Sequence, residues 1–102
     1  MRIEEELITR ARLAPPHQSD APDPILFAKL YWAIGKARWF IAEYNYRTGV
    51  AYGFVVGVGV DQWGYFTIPE LLASTLSGIE PIRLESGFKP TRASSLGIPD
   101  NT

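Results

Sequence analysis

The sequence predicts a small α+β domain: an antiparallel sheet of four or five strands with one or two short helices packed on one face. Three observations carry this. Two aromatic-rich segments, Arg38 to Tyr46 and Val50 to Val58, alternate with a period of two around Arg47-Thr48-Gly49, the signature of a hairpin. Ile3, Leu7 and Ala11 recur every fourth residue, as on one face of a helix. Thr67-Ile68-Pro69-Glu70 matches the S/T-x-x-E pattern that opens a helix.

The elements follow in order. Ile3 to Leu13 reads as a short amphipathic helix with Glu6 and Arg10 spaced for an i,i+4 pair, stopped by Pro15-Pro16. His17 to Asp23 is a polar connector. Ile25 to Trp32 is apolar on both alternating faces apart from Lys29, which predicts one interior strand. After a turn at Gly35-Lys36, the strand from Arg38 sets Phe40, Ala42, Tyr44 and Tyr46 on one face and Trp39, Ile41, Glu43 and Asn45 on the other. In the strand from Val50, the face carrying Ala51, Gly53, Gly57 and Gly59 is small, leaving room for the N-terminal helix or the Trp39 ring.

Asp61-Gln62 forms the next turn and Gly64 to Ile68 a short fourth strand. A helix from Ile68 to Leu76 buries Leu71, Leu72 and Leu76 and stops at Ser77-Gly78. Ile82 and Leu84 mark a brief edge strand. Residues 1–90 thus make one domain, and the polar segment 91–102, broken by Gly97 and Pro99, reads as a flexible tail.

Composition narrows the function classes. The chain of 102 residues has no cysteine, which excludes disulfides, thiolate nucleophiles and cysteine-ligated metal. A net charge of −1 gives no overall attraction to nucleic acid or anionic lipid. No apolar run approaches the ~20 residues of a membrane span, and the acidic start Glu4-Glu5-Glu6 lacks a signal-peptide core. A cytoplasmic protein with no membrane partner is the expectation. Gly53 and Gly57-Val58-Gly59 lack phosphate-loop spacing. His17, the single histidine, has no second ligand nearby in sequence, so neither metal nor cofactor is expected.

Several segments also resemble a known family. Asp23-Pro24-Ile25 with Lys29 looks like its first strand. Trp39-Phe40-Ile41-Ala42-Glu43-Tyr44 is similar to its W-Y-x-x-E-F, and Tyr52-Gly53-Phe54-Val55-Val56-Gly57 to its F-G-x-V-x-G. Gly64-Tyr65-Phe66-Thr67-Ile68-Pro69-Glu70-Leu71 fits G-Y-F-S-L-x-E-L, and Phe88-Lys89-Pro90 fits F-K-P. Together they resemble the family of domain of unknown function 2958, short proteins of bacterial plasmids, integrative elements and phages, over roughly Leu7 to Leu96. The departures are polar: the family's acidic turn is here Arg47-Thr48-Gly49, and its E-R-D run is Arg83-Leu84-Glu85. The resemblance implies a setting on mobile DNA and brings no catalytic residues with it.

The expected function is accordingly a non-enzymatic binding protein that docks on a host or element protein, a defence inhibitor such as an anti-CRISPR being its most concrete form. Arg38, Glu43, Tyr44, Tyr46, Arg47 and Trp63 are the candidate contacts, since Tyr, Trp and Arg are enriched at binding hot spots. Glu43, beside Trp39 and Ile41, is either a partly buried acid–base group or contact for a cationic partner, or a strand-end carboxylate paired with Lys29, Lys36 or Arg38. The alternatives are a single-stranded nucleic-acid module, with aromatics stacking on bases, and a small enzyme needing Glu43 with Asp61 or Glu85 in one cleft.

Overall fold

The computed structural model describes residues 3–74, 78 and 80–101. Helix α1, Ile3–Leu13, has Glu4, Glu5 and Glu6 in its first turn and Arg10 and Arg12 in its last, the arrangement that opposes the helix dipole. Leu7 is fully buried, and the expected pair forms with Arg10 Nε 3.0 Å from Glu6 Oε2.

Seven strands follow: β1 (Ile25–Leu26), β2 (Ala28–Trp32), β3 (Arg38–Asn45), β4 (Val50–Val56), β5 (Gln62–Thr67), β6 (Ile82–Leu84) and β7 (Thr91–Arg92). Five form an antiparallel sheet in the order β5-β4-β3-β2-β6, with the short helix α2 (Ile68–Leu72) after β5. β1 and β7 make a second, two-stranded sheet. The α+β architecture is therefore the one the alternation predicts. The edge strand through Ile82 and Leu84 also stands where expected, beside β2.

Four local expectations are corrected. The segment Ile25 to Trp32 is two strands: Ile25 and Leu26 pair with β7, and from Ala28 the chain pairs with β3 and β6, with the Phe27 N–H between them donating to the Ile41 carbonyl at 2.9 Å. β4 ends at Val56, since Gly57 takes a positive φ of 81°, and Val58 is left exposed. The small residues of β4 admit neither helix nor indole at Gly53: a Cβ there would run into the Phe40 carbonyl, so the space belongs to the β3 backbone. At the start of α2 the Thr67 hydroxyl makes no capping bond and is buried without a partner. Of the two N–H groups a capping oxygen can take, the second helical residue, Pro69, has none, and the hydroxyl makes no bond to that of the third, Glu70. Glu70 is exposed rather than folded back on Thr67, and α2 stops at Leu72. The expected continuation to Leu76 and the stop at Ser77 lie outside the described residues.

The two sheet faces are covered differently. On one, Leu7, Leu30, Trp39, Ile41 and Ile68 pack into the main core beneath α1 and α2. On the other, Leu26, Ala42 and Ala93 form a small second core joined by Phe40, Trp63, Phe88 and Ile98. Residues beyond Pro90, expected to leave the fold as a loose tail, supply that cover. They run through β7 and a 3-10 turn at Ala93–Leu96, where Ala93 is buried, its N–H donating to the Pro24 carbonyl at 2.9 Å. The segment is polar because hydrogen bonds, more than apolar area, hold it.

Candidate functional site

A cleft of about 580 Å³ opens between the end of α1 with the connector at Pro15, Pro16 and His17 on one side and the strands β3, β4 and β5 on the other. A β-bulge builds it. The β3–β4 register shifts between Ile41 and Glu43, which leaves Ala42 as the extra residue. One inserted residue reverses which face each later side chain takes. Glu43, expected beside Trp39 and Ile41, is therefore opposite Tyr52, while Tyr44 turns towards the helix-covered core, and the cleft is lined by both.

The cleft is knit by a short polar network. Glu43 Oε2 accepts the Ser19 N–H at 2.7 Å, fixing the 3-10 turn Gln18–Asp20. The expected ion pairing is replaced by this bond: among the described residues Glu43 makes no ion pair with Lys29, Lys36 or Arg38. Asn101 donates to the Ser19 carbonyl at 2.9 Å and the Ala21 carbonyl at 3.1 Å, and its own carbonyl oxygen accepts the Tyr52 hydroxyl. Burial, followed by the neighbouring Tyr65, raises the Tyr52 pKa above the usual tyrosine value, with the Asn101 hydrogen bond pulling the other way. His17, exposed as expected, stands on the rim with a left-handed φ of 60°.

An aromatic wall completes the site. Tyr52 lies edge-on to Tyr65 at 4.7 Å between ring centroids and stacks on Trp63 at 6.0 Å. Trp63 also packs edge-on to Phe54 at 5.4 Å. Tyr65 remains 70% exposed.

The six residues singled out from sequence do not converge. Glu43 and Tyr44 both line the cleft, although Tyr44 is half-buried and burial, then Glu4, raises its pKa. Tyr46 and Arg47 project from the adjoining β3–β4 turn, the guanidinium 6.0 Å from the Tyr46 ring. Trp63, expected as an exposed contact, is half-covered and donates its indole N–H to the Pro99 carbonyl at 2.9 Å. Arg38 belongs to the other end of the sheet, bonded to the Gly35 and Ala37 carbonyls and 5.6 Å from the Tyr31 ring. Sequence reasoning missed Tyr52, Tyr65 and Asn101. The two tyrosines were legible as same-face neighbours once β4 and β5 are paired, whereas Asn101 carries no local signal.

Nor does the cleft's described lining gather the carboxylates that the enzyme alternative needs. Asp61 accepts the Gly57 N–H beyond the far end of β4, and Glu85 follows β6, its N–H bonded to the Lys29 carbonyl. Comparison with known proteins gives one family: a model described as a protein of unknown function (DUF2958) matches residues 2–96. No curated protein and no solved structure matches the chain.

Proposed function

We propose a function from the premise that this chain belongs to the DUF2958 family: it is a non-enzymatic binding protein of a plasmid, phage or integrative element that acts by docking on a host or element protein. Inhibition of a host defence system, as by an anti-CRISPR protein, is the most concrete form of this reading. The observation that carries it is the aromatic cleft, where a largely exposed Tyr65 stands on an ordered bed of Tyr52 and Trp63. A rigid tyrosine anchor beside a cleft supplies contact area at small entropic cost, the usual make-up of a protein-binding hot spot.

The cleft also favours a protein partner over a nucleic acid. Its described lining carries the Glu43 carboxylate and no lysine or arginine, whereas single-strand binders couple stacking aromatics to a basic groove. Affinity capture from a bacterial lysate tests the proposal. The wild-type chain retains a stoichiometric protein partner, and Tyr65→Ala loses it while keeping the wild-type circular dichroism spectrum. Absence of any stoichiometric partner, or tight binding of a single-stranded oligonucleotide at low salt, overturns it. The defence-inhibitor form predicts in addition that expressing the chain restores plasmid or phage entry into a defended host.

A further inference from the structure

The sheet ends in two unequal edges. β6 presents three residues, whereas β5 presents six, and among the described residues no strand pairs with its outer side. Exposed edges are usually guarded by charge, proline or a bulge. Gln62-Trp63-Gly64-Tyr65-Phe66-Thr67 contains no charge or proline, and its register with β4 runs without a shift from Val55↔Gln62 to Val50↔Thr67. Beside this edge lies a groove of about 430 Å³ between β5 and α2, lined by Tyr65, Phe66, Thr67, Glu70, Leu71 and Ser74. A Cβ added at Gly64 would meet nothing within 4 Å, so bulk can approach the strand there.

We propose that β5 accepts an extended peptide as a sixth strand, and that the peptide alternates apolar and basic side chains. Main-chain groups of β5 supply the affinity common to strand addition, and alternate side chains supply the specificity. On the α2 side, Phe66 and Leu71 offer an apolar floor for a lysine or arginine stem. Glu70, the one charged residue of the lining, is exposed, without an ion pair among the described residues, and so receives the cationic head. On the other side, aliphatic residues pack beside Tyr65 and Trp63. A second copy of the chain fits less well, because Gln62 to Thr67 brings no basic residue to Glu70. This inference rests on the docking reading and names the partner chemistry for it.

The probe is a capped hexapeptide of alternating valine and lysine, titrated by fluorescence anisotropy and followed by amide hydrogen exchange. Binding slows exchange within residues 62–67. Glu70→Lys weakens it by about fivefold, the loss of one exposed ion pair and the gain of one repulsion. The same variant prefers a valine–glutamate peptide, and methylating alternate peptide amides abolishes binding. No binding, protection outside β5, equal affinity for the two peptides, or a peptide-free dimer with protected β5 amides overturns the proposal. A natural partner that Glu70→Lys still holds at wild-type affinity overturns this assignment alone. Failure to capture any partner instead removes the docking reading beneath it.

Discussion

The two faces of the main sheet are held by different physics. On the helix side, Leu7, Leu30, Ile41 and Ile68 are completely removed from water, so burial of aliphatic area dominates. On the other side, the second core contains two alanines and one leucine, and polar contacts do most of the fastening. Ser94 bonds Asp23, Asn101 bonds Tyr52, Ser19 and Ala21, and Trp63 bonds the Pro99 carbonyl. A polar segment can thus roof a sheet if its donors and acceptors are matched one by one. The aromatic wall of Tyr52, Trp63 and Tyr65 belongs to this second, hydrogen-bonded side, and the cleft beside it is also lined by Ala11, Ala14 and Tyr44 of the helix side.

The strongest way to break the comparison is to open a cavity on the aliphatic side. Leu30→Ala, at the centre of β2, should lower global stability by about 2–5 kcal/mol, the range for truncating a buried leucine. Urea unfolding followed by circular dichroism checks this. A cost below about 1 kcal/mol, well under that range, would mean that the helix side does not dominate the stability.

The same division explains what the sequence revealed. Periodicity exposes elements that bury an apolar stripe, so Ile3–Leu13, the β3–β4 hairpin and the Ile82–Leu84 edge strand were legible as elements. It is blind to pairings made by single hydrogen bonds between distant residues. Nothing near Asn101 announces contacts with Ser19 and Tyr52, and Asp23 gives no local sign of meeting Ser94. The β-bulge at Ala42 was hidden for another reason. Ala42 suits either face of a strand, so the parity change that moves Glu43 into the cleft left no break in the apolar pattern. The aromatic wall was therefore written in the alternation of β4 and β5 and needed only their pairing, whereas the rest of the site depended on a bulge and a polar roof.

A smaller effect is expected from loosening that roof. Asn101→Ala removes the acceptor for the Tyr52 hydroxyl and the donors to the Ser19 and Ala21 carbonyls. These groups are only part-buried, so water replaces some of the loss, and about 1–2 kcal/mol is expected from three bonds of modest net worth. The sharper reading is local: indole fluorescence should report Trp63 becoming wetter while α1 and the main core stay intact. A loss as large as that of Leu30→Ala would show that the two faces are not separable.

The smallest effect concerns acid. Hydrogen bonds from the Ser94 hydroxyl at 2.7 Å and N–H at 2.9 Å, helped by the Arg92 charge, hold the Asp23 carboxyl below its ordinary pKa despite some desolvation. A carboxylate whose folded pKa is depressed contributes stability that is fully present above its unfolded pKa, about 3.9, and is lost as pH falls through the lower folded value. Wild type should therefore be more stable than Asp23→Ala by a constant margin near neutrality, and the margin should shrink as pH drops below about 4. Paired urea titrations at several pH values measure it. A margin unchanged into strong acid would mean that the Ser94 contact does not depend on the carboxylate charge. A shrinking margin would show that charged hydrogen bonds at Asp23 help to hold the Ser94 segment on the polar side of the sheet, where the aliphatic core has no counterpart to them.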